Sequence, residues 1–305
     1  MGIYTDLARE AREINPDILG VTEQEEQIGD VNISRIEVQS QQASDELQKP
    51  CGRYITIEAP TLSNRDTQVF KQVGELISKE FMSLLPNQGQ NISVLVVGLG
   101  NRGITADALG PRVVEKIFVT RHITEHLPDI IGKPMRAVAA VAPGVLGTTG
   151  VETLEMLRGL VERVKPDAVV AVDALASRRA ARISTAIQLT DTGIHPGSGV
   201  GNSRMGLTKE SLGVPVVAIG VPTVVYASTI SQDTIQLIAQ EAGMNEEAEK
   251  MLNLADQVIS EHYGPMIVTP KDIDTVINDM AGIIADGINI GLHREYYSQV
   301  EELLA

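Results

Sequence analysis

At 305 residues and 43% hydrophobic side chains, the chain holds enough apolar matter for one large α/β domain or two ordinary ones, which excludes the disordered class. Its 40 acidic residues against 25 Lys and Arg give a net charge of −15, which repels nucleic acid and anionic lipid at long range. A single cysteine, Cys51, excludes an intrachain disulfide, and no apolar run approaches the about 20 residues of a membrane span. The opening residues Met1–Glu10 lack the basic and apolar regions of a secretory signal, so a cytoplasmic protein is expected.

Taken in chain order, residues 1–50 are polar, with a short alternation at Val31–Ile36 that suits edge strands and their connections. Arg53–Glu58 alternates as a strand. Asp66–Leu85 then carries Val69, Val73, Leu76, Ile77 and Leu84 at helical spacing, and Pro86 ends it. From Ile92 the pattern turns β-α-β. The runs Ile92–Val97, Ala137–Val141, Ala168–Val172 and Val214–Val221 are short, β-branched and continuous, as buried strands are. Helical stretches at Val151–Val164 and Asp233–Glu241 lie between or after them, 244–262 reads as a charged peripheral helix, and Lys271–Arg294 as a long closing helix with acids early and bases late. The expected fold is three-layer α/β: a central, twisted, mostly parallel sheet with helices on both faces and added peripheral strands and helices. Within one domain over 7–305, residues 7–60 supply the peripheral strands and 92–225 the core sheet with the site.

Gly98-Leu-Gly-Asn-Arg-Gly103 after a strand fits the dinucleotide pattern, yet no helix opens within it and no acid ends the next strand about 20 residues on. A nucleotide-binding module is therefore the weaker reading. Asp173 follows the apolar run Ala168–Val172, which puts it at the strand end where open α/β sheets bind ligands. Asp107 lies in the loop after another strand and can reach the same edge; as a structural residue it would be the N-cap of the helix that Pro111 begins. Two carboxylates sharing a proton serve as acid and base in peptide hydrolysis; with His195 the same pair suits a divalent metal. Spacing leaves both open. The loop Gly193–Asn202 has more glycine than a turn needs, which allows close approach to an extended peptide. Asn101, His195, Gly197, Ser198 and Arg204 are the candidate binding or orienting residues. A serine nucleophile lacks its G-x-S-x-G elbow, and Cys51 has no histidine near it in sequence.

Val96-Val-Gly-Leu-Gly-Asn101, Thr105-Ala-Asp-Ala-Leu-Gly-Pro111, Ala142-Pro-Gly-Val-Leu-Gly147, Val172-Asp-Ala-Leu-Ala176, Asp191–Asn202 and Ala218-Ile-Gly-Val-Pro-Thr223 together resemble the germination protease family in order and spacing, over nearly the whole chain. The resemblance implies an endopeptidase of the spore core that degrades small acid-soluble spore proteins, with Asp107 and Asp173 as its catalytic pair. It implies no cofactor, although the fold is shared with hydrogenase maturation endopeptidases whose carboxylates engage metal, and it implies a homotetramer. It also implies a zymogen that cleaves itself after an acid and before an apolar residue and Ala. Thr5-Asp6-Leu7-Ala8 fits, which makes 1–6 the propeptide and Asp6–Leu7 the bond. Two departures stand out: the stretch between Asp233 and Val268 is short for the family, and Tyr226 replaces a common acid.

Overall fold

The computed structural model describes residues 5–89, 92–126, 135–195, 205–243, 251–252, 254–255, 258–259, 262 and 266–304. Helix α1 (Ala8–Ile14) opens this part of the chain and is followed by β1 (Val21–Ile28), β2 (Val31–Val38), α2 (Gln41–Leu47) and β3 (Gly52–Glu58). Helix α3 (Thr67–Leu84) starts on the cap its sequence offers: the Asp66 carboxylate accepts the Gln68 N–H. Next come β4 (Val94–Gly98), a 3₁₀ turn over Thr105–Asp107, α4 (Leu109–Val114), α5 (Arg121–His126), β5 (Val138–Val141), α6 (Leu146–Thr149) and α7 (Thr153–Val164). The second half holds β6 (Ala168–Ser177), β7 (Ala186–Thr190), α8 (Lys209–Leu212), β8 (Val216–Tyr226), α9 (Ala227–Ala242), β9 (Ile267–Val268) and α10 (Ile273–Leu304). The peripheral helix expected over 244–262 falls largely outside the described residues.

Among the described residues these strands form one nine-stranded sheet in the order β1-β2-β3-β7-β8-β6-β4-β5, with β9 beside β8. The parallel pairings are those of β5, β4, β6 and β8. The other strands add to this parallel centre in antiparallel fashion, so the expected core with peripheral strands is present and the sheet as a whole is mixed. The reason is connectivity: β1 and β2 are joined through Gly29, whose positive φ of 62° suits a tight hairpin, and hairpins make antiparallel pairs.

Alternation along the buried strands builds the two outer layers. Val94, Val96, Val170 and Val172 face one way, against Val73, Ile77 and Phe81 of α3 and Ile277, Ile284 and Ile288 of α10. Leu95, Val97, Val169 and Ala171 face the other, against Leu154, Leu157 and Val161 of α7 and Leu212 of α8. This gives the three layers that the β-α-β pattern predicts. Among the described residues no helix is long and apolar enough to cross a membrane.

Helix α10 leaves helical geometry at His293 (φ −133°, ψ 30°). The imidazole is 3% exposed and meets the Phe118 ring edge-on at 5.3 Å. Burial, with a smaller push from the Arg136 charge, drives its pKa down to about 4, against a weaker opposing contact to the Phe118 backbone. The folded protein thus keeps this ring neutral while the unfolded chain protonates it near pH 6.5. Its contribution to stability is complete above that pH and is lost as pH falls from about 6.5 to 4, by up to about 3 kcal/mol. Chemical denaturation at pH 7 and pH 4.5 should show His293→Phe with a flatter pH dependence than the parent; equal slopes would count against it.

Candidate active site

Strand β6 carries the first of the two candidate carboxylates. Asp173 does not follow the strand, as the sequence pattern suggested; it sits within it, because β8 goes on pairing with β6 (Asp173 opposite Gly220) after β4 has left at Gly98 opposite Val172. The last link to β4's chain is the Leu99 N–H donated to the Val172 carbonyl at 2.8 Å. Asp173 is therefore the first β6 residue beyond the end of β4, and it is only 5% exposed. Its Oδ1 accepts the N–H of Ala174 at 2.9 Å. A carboxylate on a strand that runs on past the end of its parallel neighbour lies where open sheets form ligand crevices.

Asp107 is brought to the same strand end by the loop that follows β4. It closes the 3₁₀ turn, its N–H bonded to the Ile104 carbonyl, and its Oδ2 accepts the Asn101 N–H at 2.8 Å. It caps no helix: the residue before α4 is Ala108, and the Asp107 carboxylate turns back on its own loop instead. Thr223 of β8 donates its hydroxyl to the Ala106 carbonyl at 2.7 Å, which ties the turn to the strand that also flanks Asp173.

Two glycines of the dinucleotide-like pattern, Gly98 and Gly100, are explained by this closeness. At Gly100 (φ 107°) a Cβ would lie 2.0 Å from the Asp107 carbonyl oxygen, and at Gly98 one would lie 2.1 Å from that of Gly110. They let the loop and the start of α4 press on the strand end. Asn101 has a structural part here, its Oδ1 accepting the Gly103 N–H at 2.9 Å.

His195 is exposed, packed over Gly206, where a Cβ would come within 2.5 Å of the ring. Asp107, Asp173 and His195 do not form a metal-binding group; among the described residues no three His, Cys, Asp or Glu side chains do. Gly197, Ser198, Arg204 and most of the Gly193–Asn202 loop lie outside the described residues.

The N-terminal segment reaches the same region. The Asp6 N–H donates to the Ala176 carbonyl at 3.1 Å, and the Ala176 N–H returns to Asp6 Oδ2 at 2.8 Å. Leu7 is fully buried against Leu175, Ala186 and Ile194. Behind it Glu10, 1% exposed, accepts the N–H groups of Arg178 and Arg179 at 2.7 and 2.9 Å. Asp6 meets β6 three residues from Asp173, a run of about 10 Å along a strand.

Comparison with known proteins decides the family. The germination protease family model matches residues 2–260 and 242–303. The chain belongs to the germination protease family. A germination protease of Caldanaerobacter subterraneus subsp. tengcongensis is 47% identical over 96% of this chain and 94% of its own length. That of Bacillus subtilis strain 168 is 39% identical, over 96% of this chain and 94% of its own. Among solved structures, a NiFe hydrogenase maturation protease from Thermococcus kodakarensis KOD1 matches at 18% identity with a TM-score of 0.32, covering 66% of this chain and 95% of that one. At that score the likeness is remote, and nothing about the site follows from it.

As a germination protease the chain is a hydrolase of peptide bonds. The Bacillus alignment runs over 346 positions against 307 for the Caldanaerobacter one, so the longer relative carries segments that this chain of 305 residues lacks. Tyr226 ends β8 half-buried; burial and the nearby charge of Asp6 both raise its pKa. Two residues of the N-terminal contact, Lys49 and Gln188, escape sequence reasoning. Gln188 had a signal, being polar in the otherwise apolar run Ala186–Leu189; Lys49, in the polar stretch before Cys51, had none.

Proposed function

We propose that this germination protease is an endopeptidase that begins the degradation of small acid-soluble spore proteins in the cytoplasm of the germinating spore. It is made as a zymogen, cuts itself between Asp6 and Leu7, and works as a homotetramer without a resident metal. Asp107 and Asp173 share one proton: the ionised carboxylate takes a proton from the attacking water while its protonated partner gives one to the leaving amine. The observation that carries this reading is Asp173, buried on β6 where β4 ends, with the Asp107 loop pinned to the same strand end through Leu99 and Thr223. Large exposed side chains on α9, Leu237 and Ile238, are in keeping with association between copies.

The test is to incubate the folded chain at mildly acid pH with a small acid-soluble spore protein and follow both by mass spectrometry. Loss of Met1–Asp6 and cuts in the substrate between an acid and an apolar residue are expected. Absence of both from folded protein would overturn the reading. Activity lost on exhaustive chelation and restored by a divalent ion would replace the aspartate mechanism with a metal-dependent one.

A further inference from the structure

Strand β8 reads Val-Val-Ala-Ile-Gly-Val-Pro-Thr-Val-Val-Tyr, and Thr223 is its one polar side chain before the terminal Tyr226. Thr223 is 1% exposed. A hydroxyl buried there costs free energy unless it is hydrogen-bonded, whereas valine, of nearly the same shape, would need no partner. The partner it has is the carbonyl of Ala106, the residue before Asp107, at 2.7 Å.

The strand is irregular at this residue. Pairing with β6 passes from Leu175 opposite Pro222 to Ala176 opposite Val224, which leaves Thr223 as the extra residue of a β-bulge. Bulges release main-chain groups from the ladder and re-aim side chains, often beside active sites. Here the Thr223 carbonyl accepts Thr269 Oγ1 at 2.8 Å. A chain of hydrogen bonds thus runs from the segment between β9 and α10, through Thr223, to the Asp107 turn. The turn has a second outside tie, the Thr105 hydroxyl donated to Asp274 Oδ1 at 2.9 Å. That bond lies at the surface, where water can replace it; Thr223, inside the protein, has no such substitute.

We propose that Thr223 is the positioning residue of Asp107: its hydroxyl, anchored by the bulge and by Thr269, holds the Ala106 carbonyl and so keeps the Asp107 carboxylate at the strand end where Asp173 sits. Thr223 acts through one peptide unit of the turn rather than on the substrate. A displacement of about 1 Å at a catalytic group is enough to lower a rate by about 100-fold. The effect on cleavage rests on the proposed aspartate pair; the tie between Thr223 and the turn does not.

Thr223→Val, Thr223→Ser and the strand control Ile219→Val, each in the full chain, test this. Thr223→Val removes the hydroxyl and keeps the shape; kcat for cleavage of a small acid-soluble spore protein is expected to fall about 10- to 100-fold, with KM within about 2-fold. Thr223→Ala, a second hydroxyl-free variant that crowds nothing, should match it. Thr223→Ser keeps the hydroxyl and loses only a methyl, so kcat should return to within about 3-fold of the parent. Ile219→Val trims the same buried strand without touching the turn and should keep the parental kcat, which separates positioning from a general loss of packing. Amide hydrogen exchange supplies a readout independent of activity. The Asn101 N–H, whose acceptor is Asp107 Oδ2, should exchange about 10-fold faster in Thr223→Val, while the Leu99 N–H, bonded to Val172, stays as in the parent. Unchanged exchange at Asn101, a Thr223→Ser chain as slow as Thr223→Val, or an equal fall in Ile219→Val would overturn the proposal. So would faster exchange with kcat kept, in a protein that Asp107→Asn inactivates. Faster exchange in a protein that cleaves nothing, or that Asp107→Asn leaves active, would keep the tie and sink the aspartate-pair reading instead.

Discussion

Asp173→Asn is expected to lower kcat for peptide cleavage by about 100- to 10,000-fold, the range in which a general acid or base acts, with KM changed far less. Asn keeps the shape of the side chain and an Oδ1 for the Ala174 N–H, so the strand has no reason to move. Removing a carboxylate from a position 5% exposed also lifts a desolvation cost, and the variant should be as stable as the parent or more so. A merely structural Asp173 would behave in the opposite way, with stability lost and activity following it down. Asp107→Asn should give the same fall, since Asn can still accept the Asn101 N–H. The pH profile adds a further readout: a pair sharing a proton gives a two-limbed profile, and either substitution should remove one limb. Self-processing should fail alongside substrate cleavage. If either variant kept activity within about 3-fold of the parent, the proposed dyad would be wrong.

The sequence discloses the centre of this fold better than its margins. Buried parallel strands write themselves as continuous apolar runs, so β4, β5, β6 and β8 are visible as Ile92–Val97, Ala137–Val141, Ala168–Val172 and Val214–Val221, and only their ends shift. The ends shift for a reason. Strand β6 runs on to Ser177 because β8 pairs with it there, and an acid inside a strand breaks an apolar pattern without ending a ladder. Strand β1, with the sequence Val-Thr-Glu-Gln-Glu-Glu-Gln-Ile, is a polar edge that carries almost no burial signal, and α1 and α2 are each of 7 residues, too short for a helical period to show. At the site, Asp107 and Asp173 are legible because acids next to apolar strands are conspicuous. Lys49, Gln188 and Glu10 act on residues far away in sequence, and nothing local marks a side chain whose partner is 180 positions off, as the Ala8 N–H and Gln188 are.

Glu10→Ala should cost about 3–5 kcal/mol of stability, the price of leaving buried charge and buried N–H groups unpaired. Glu10 takes the N–H groups of Arg178 and Arg179, the Thr5 hydroxyl and, at 3.2 Å, Arg182 Nη1. Arg182 is 7% exposed and also binds Glu13 and Glu58. Burial works against the charge on Glu13, but the hydrogen bond and charge of Arg182 overcome it and hold that carboxyl below its usual range. One helix, α1, is thereby fastened to the β6–β7 connection by carboxylates that enter the protein interior. Urea denaturation should show the loss, and the exposed pair Arg294–Glu75 provides the contrast, since breaking it should cost less than about 1 kcal/mol. A cluster that positions the N-terminal segment also predicts a local effect. With Glu10 gone, α1 should open before the sheet does, so that trypsin cuts after Arg9 or Arg12 in protein whose core is still folded. Glu10→Gln, which keeps an acceptor oxygen and loses only the charge, should fall between the parent and Glu10→Ala. If Glu10→Ala matched the parent in both urea midpoint and trypsin resistance, the cluster would not be what seats Asp6 against β6, and the hold on the segment would lie with Lys49 and Gln188 alone.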